Sequence, residues 1–119
     1  MIYTSYWANV PELIAHGIEP VGISRSVPKG FMGRRIMSLA PTWNMLKMSD
    51  EDYDKAYKKI LQNNDRNAII EMFRGKDVAL LCWEKNNNDC HRKQVAEWLR
   101  EGGCECEEFS AESKQLSIF

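Results

Sequence analysis

Residues 78–84 read Val-Ala-Leu-Leu-Cys-Trp-Glu, and residues 90–92 read Cys-His-Arg after the polar stretch Lys85 to Asp89. A short, unbroken apolar run that ends in a polar loop is the pattern of a strand covered on both faces, as in a parallel sheet. A parallel strand reaches its neighbour only through a long crossover, usually a helix, so this one segment already asks for an α/β architecture. It also predicts where chemistry sits. In such folds ligands bind beyond the carboxyl ends of strands and against helix N-termini. Here Asp89 is a suitable N-cap for a helix from Cys90 to Arg100, which Gly102-Gly103 ends.

The remaining segments fit that architecture. Ile2 to Trp7, aromatic and β-branched, reads as a first strand. Pro11 to Ala15 is a short helix with Pro near its first position and Gly17 as its stop. Pro20 to Arg25 is a second strand. Ser26 to Trp43, punctuated by Pro28, Gly30, Gly33 and Pro41, is mostly irregular, and a segment of that length is usually functional or mobile. Ser49 and Asp52 approximate a capping box, and Tyr53, Ala56, Tyr57, Ile60 and Leu61 then recur with helical spacing. A further helix runs from about Asp65 to Phe73 with Gly75 as its cap. Asp77 to Glu84 is the central strand and Cys104 to Phe109 the last. Strands separated by helices predict a three-layer α/β sandwich around a mostly parallel sheet of about four to five strands.

At 119 residues the chain is expected to form one α/β domain spanning 1–119. Hydrophobic residues at 44% and charged ones at 28% are those of an ordinary globular protein. No apolar run is long enough to cross a membrane, and Met1 to Trp7 lacks the basic start and apolar centre of a signal peptide. Four cysteines without a secretion signal are then expected to be reduced thiols in a cytoplasmic protein.

Net charge is −1, but its distribution is uneven. No acidic residue falls between Glu19 and Asp50, where Arg25, Lys29, Arg34, Arg35 and Lys47 lie. The acids gather in Asp50 to Asp54 and Glu101 to Glu112. Such a basic block is either a local anion site or a solvated loop. Ser24 and Ser26 beside Arg25 suit a phosphate at the end of the second strand. Tyr3, Tyr6, Trp7, Phe31 and Trp43 either stack on a flat anionic ligand or belong to the core.

At the central corner, Cys90 in a first helical turn would be favoured as thiolate by the helix dipole and by His91 and Arg92. Glu84 is placed to act as a base or to orient an imidazole, and Cys82, two residues earlier, lies on the same face beneath it. Adjacent helical residues fan over about 200°, so Cys90, His91 and Arg92 do not all face one pocket. Cys90 and Arg92 are assigned to the pocket, with His91 the one expected to turn away. The bland alternatives are equally definite: Cys82 as a small core residue, Cys90 packed beneath the helix start, and Arg92 paired with Glu84. No Cys-x-x-Cys knuckle, Walker A motif or dinucleotide glycine fingerprint occurs, so neither metal nor cofactor is indicated. Cys104 and Cys106 offer a pair at most.

Tyr3-Thr-Ser-Tyr-Trp-Ala8, Ile23-Ser24 with Pro28-Lys29-Gly30, Leu39-Ala-Pro41, Leu80-Leu-Cys-Trp-Glu84, Cys90-His-Arg92 and Val95-Ala-Glu-Trp98 together resemble the domain-of-unknown-function 488 family in its short form. That family includes bacterial, archaeal and phage proteins. The resemblance implies a compact α/β fold with a pocket around these motifs and supplies no reaction.

The resulting expectation is a pocket for a nucleotide-like small molecule or an exposed nucleic-acid base, processed by hydrolysis or transfer. The catalytic candidates are Glu84, Cys90 and His91; the ligand-binding candidates are Ser24, Arg25, Lys29, Arg34, Arg92 and Cys82. The alternatives are a non-catalytic nucleotide- or protein-binding module, including a role in phage–host conflict, and a thiol-based sensor. Ligand identity and oligomeric state are left open by the sequence.

Overall fold

Side-chain alternation along the strands divides the interior into two halves. The computed structural model describes residues 1–83 and 91–110. Four strands form one sheet: β1 (Ile2–Tyr6), β2 (Glu19–Gly22), β3 (Val78–Cys82) and β4 (Cys106–Glu108), in the order β2-β3-β1-β4. Every pairing is parallel, with Ile2 opposite both Val78 and Cys106, and Val21 opposite Leu80. All five residues of β3 are buried, as its unbroken apolar run requires.

The helices are α1 (Val10–Ala15), α2 (Asp50–Gln62), α3 (Arg66–Met72) and α4 (Arg92–Glu101). Val78 and Leu80 point to one face of the sheet, where they join Tyr57, Ile69, Val95 and Leu99 from the three later helices. Ala79 and Leu81 point to the other, where Trp7, Leu13 and Phe109 meet them. Period-two alternation thus feeds one strand into two cores, the signature of helices on both faces of a sheet. The result is a three-layer α/β sandwich. Burying each large aliphatic side chain in it contributes about 1.5–3 kcal/mol.

Local signals set the helix ends. Ser49 Oγ accepts the Asp52 N–H at 3.2 Å, and Asp65 accepts the Ala68 N–H at 3.1 Å. Each strand is shorter than the sequence predicts, and β2 and β4 show the cause. β2 stops at Gly22 instead of Arg25 because the 30s segment docks onto its edge. The Gly22 N–H donates to the Arg34 carbonyl at 2.9 Å, and the Ile36 N–H to the Gly22 carbonyl at 2.8 Å. A side chain at Gly22 would meet the Trp7 ring, about 3.1 Å from where its Cβ would stand. β4 begins at Cys106 because the Cys104 N–H closes the end of α4 on the Leu99 carbonyl at 3.1 Å, with Gly103 at φ 84°. Among the described residues no helix is long and apolar enough to cross a membrane.

Candidate functional site

All strands run the same way, so their carboxyl ends share one edge, and a cleft of about 550 Å³ opens there. That volume suits a nucleotide-sized ligand. Ser24 and Arg25 enter it from the residues after β2, Cys82 and Trp83 from the end of β3, and His91 and Gln94 from the start of α4. The 3₁₀ turn Trp43–Lys47 and the first turns of α2 complete it, with Trp43, Asp50, Tyr53 and Asp54 on the lining.

The residues after β2 are tied down from several directions. The Trp7 indole N–H donates to Ser24 Oγ at 3.0 Å, and that hydroxyl donates to the Ser26 carbonyl at 2.5 Å. Trp83 Nε1 donates to the same carbonyl and to Ser26 Oγ, each at 3.1 Å. Arg25 is held at one point, its Nε donating to the Pro41 carbonyl at 3.1 Å. That bond fixes the guanidinium plane, and no described residue accepts from its terminal nitrogens.

His91 is part of the cleft lining rather than a surface residue, contrary to expectation. It is 3% exposed, its Nε2 lies 2.8 Å from the Ile23 carbonyl, and its ring meets Tyr57 edge-on at 5.0 Å. The carbonyl can only accept, so Nε2 carries the proton. Burial pushes the imidazole down to about 4; the Ile23 bond opposes this and the neighbouring Arg92 charge adds to it. His91 is therefore neutral at physiological pH.

Arg92 goes elsewhere. It is fully buried behind the sheet end, where Nε and Nη2 donate to the Glu108 carboxylate at 3.0 and 2.9 Å and Nη1 to Cys82 Sγ at 3.2 Å. Its guanidinium lies 5.7 Å from the Tyr6 ring centroid, and Thr4 Oγ1 donates to the same Glu108 at 2.7 Å. The β1–β4 register, which sets Thr4 opposite Glu108, brings this carboxylate to the arginine. Sequence reasoning missed Glu108 because it lies in an acid-rich segment whose pairing only the register decides.

Of the other ligand-binding candidates, Ser24, Arg25 and Cys82 line the cleft. Lys29 is exposed outside it, and Arg34 turns to the opposite end of β2, bonding Glu19 at 2.9 Å and covering the Phe73 ring. Cys82 is disulfide-bonded, which corrects the expectation of four reduced thiols; Cys104 and Cys106 are free, and burial pushes the Cys106 thiol up to about 12. Glu84, Cys90 and the expected cap Asp89 lie outside the described residues. Of the five aromatics considered for stacking, only Trp43 lines the cleft, while Trp7 and Tyr3 are core. Trp83, which the sequence reading treated as strand, joins Trp43 there; both rings are about half exposed, at 49% and 60%. Among the described residues, no three His, Cys, Asp or Glu side chains converge to hold a metal ion.

The electrostatic picture also changes. Asp50 and Asp54, read in the sequence as acids apart from the basic block, are brought onto the cleft by α2. The cleft is bipolar, with Arg25 from the β2 side and two carboxylates from the helix.

Fold and cleft together define a parallel α/β protein with a cleft at the carboxyl ends of its strands. Within that class, the model of the active DUF488-N3 subclade matches residues 10–103, and the chain belongs to this family. No curated protein and no solved structure matches it.

Proposed function

We propose that the cleft binds a nucleotide, a nucleoside or an exposed nucleic-acid base and processes it by hydrolysis or group transfer. The observation that carries this reading is the meeting of a half-anchored Arg25 with the exposed rings of Trp43 and Trp83 in one nucleotide-sized cleft. A fixed guanidinium takes a phosphate through its free edge, and flat rings take a base. Glu84, two residues beyond β3, is the carboxylate proposed to act as base or nucleophile. The matched subclade is described as active, which favours turnover. His91 is not the proposed proton acceptor, because its Nε2–H is committed to Ile23 and its ring resists charging.

A non-catalytic binding module is the second reading. It is favoured by Arg92 and Ser24 being engaged in bonds that hold the fold.

The test is calorimetric titration of nucleotides and nucleosides into wild type and Arg25→Ala, with chromatography of the mixtures for products. Binding that weakens about tenfold or more in Arg25→Ala is expected for loss of a charged hydrogen-bond pair to phosphate. Product that disappears in Glu84→Gln with binding retained supports the enzyme. Binding without product in wild type selects the module, and no binding of any probe refutes the site.

A further inference from the structure

Resting on that reading of the cleft, we infer that its acidic side selects a guanine-type edge, a ring N–H beside an exocyclic amine, through the Asp54 carboxylate braced by Gln94. Both residues line the cleft, one from α2 and one from α4, and Gln94 Nε2 donates to Asp54 Oδ1 at 2.8 Å. A carboxylate only accepts, so this contact sets the amide: Nε2 faces Asp54 and Oε1 is turned away. The consequence is costly. Gln94 Oε1 is buried with no hydrogen-bond partner among the described residues, a condition rare in folded proteins. A contact made only for stability would not strand an acceptor; what the arrangement provides is an aspartate held at a set angle on the cleft wall.

One Oδ1 lone pair is used by Gln94, and an ionised carboxylate has about four such positions. Two parallel N–H donors of a flat ring therefore fit it side by side, the same geometry by which carboxylates take a guanidinium. A guanine edge offers that pair. Hypoxanthine offers the ring N–H alone, and adenine turns a ring acceptor toward the carboxylate, where like electron pairs repel. The same cleft carries Arg25 for an anion and the rings of Trp43 and Trp83 for a flat body, so a guanine nucleotide satisfies all three chemistries.

The experiment is calorimetric titration of the full chain with GMP, IMP and AMP, in wild type, Asp54→Asn and Gln94→Met, with melting temperatures confirming that each variant folds. Wild type is expected to bind GMP about tenfold or more tightly than IMP or AMP, the ratio expected when a site built for a donor meets a ligand lacking it. Asp54→Asn, which offers one donor and one acceptor, should erase that ratio while leaving IMP binding nearly unchanged. Gln94→Met should reduce the ratio without abolishing binding, the mark of a positioning residue. A dT oligomer carrying one dG, against dT alone, distinguishes a base in a strand from a free nucleotide; a preference in either form supports the inference. Equal binding of GMP and IMP by wild type, or a ratio kept by Asp54→Asn, overturns it. If nucleotides bind without that preference and Arg25→Ala weakens them all, only this inference falls. If none of the probes binds, the nucleotide reading falls with it.

Discussion

Acidification should destabilise this fold through His91 before most of its carboxylates are neutralised. An unfolded histidine takes up its proton near 6.5, whereas burial holds the folded His91 down to about 4. Between those values the unfolded chain binds more protons than the folded one, so stability is retained above 6.5 and lost as pH falls toward 4. A gap of roughly 2.5 units corresponds to about 3 kcal/mol once both states are charged, and about 2 kcal/mol of that is lost by about pH 5. The figure is a sizeable share of the 5–15 kcal/mol typical of small proteins. Urea unfolding at about pH 7 and about pH 5, in wild type and in His91→Gln, isolates the effect. Glutamine keeps an N–H donor for the Ile23 carbonyl and does not titrate, while the carboxylates common to both chains cancel. Wild type is expected to lose about 2 kcal/mol more than the variant over that interval. The same pH dependence in both proteins, or an imidazole resonance titrating near its ordinary value, would refute the burial argument.

Two further outcomes follow from buried polar bonds. Arg92→Ala should cost about 3 kcal/mol in urea unfolding, because Glu108 is left partly buried without its cation; Arg92→Met with Glu108→Met should cost less than the single change. Tyr57→Phe should cost about 1 kcal/mol, since the Leu39 carbonyl loses the hydroxyl that donates to it at 2.6 Å in the core; an unchanged melting temperature would show that water replaces it.

The residues that mark the cleft edge do so through local rules. Val78 to Cys82 is strand because its run is apolar and short, and the sheet around it is parallel because helices separate the strands. Ser49 and Asp65 start their helices as N-caps do in any context. Ser24, Arg25 and Cys82 were found for the same reason: they directly follow or end strands, and parallel strands end together. Arg34 stands out in the sequence by charge alone, and charge says nothing about direction; it lies against Glu19 and Phe73 at the far end of its strand.

What the sequence by itself determined is therefore what depends on near neighbours: strand and helix identity, the α/β class, and the edge at which the cleft opens. The tertiary structure alone decided the partners that lie far apart along the chain. Parallel register set Glu108 against Thr4 and gave Arg92 its carboxylate. Packing of α2 beside α4 brought Asp54 to Gln94, forty residues away, and turned a basic loop into one side of a bipolar cleft. His91 was buried by the same packing, which decided its neutrality. Periodicity and capping are written within a few residues, whereas the field around a titratable group is summed over every element that covers it.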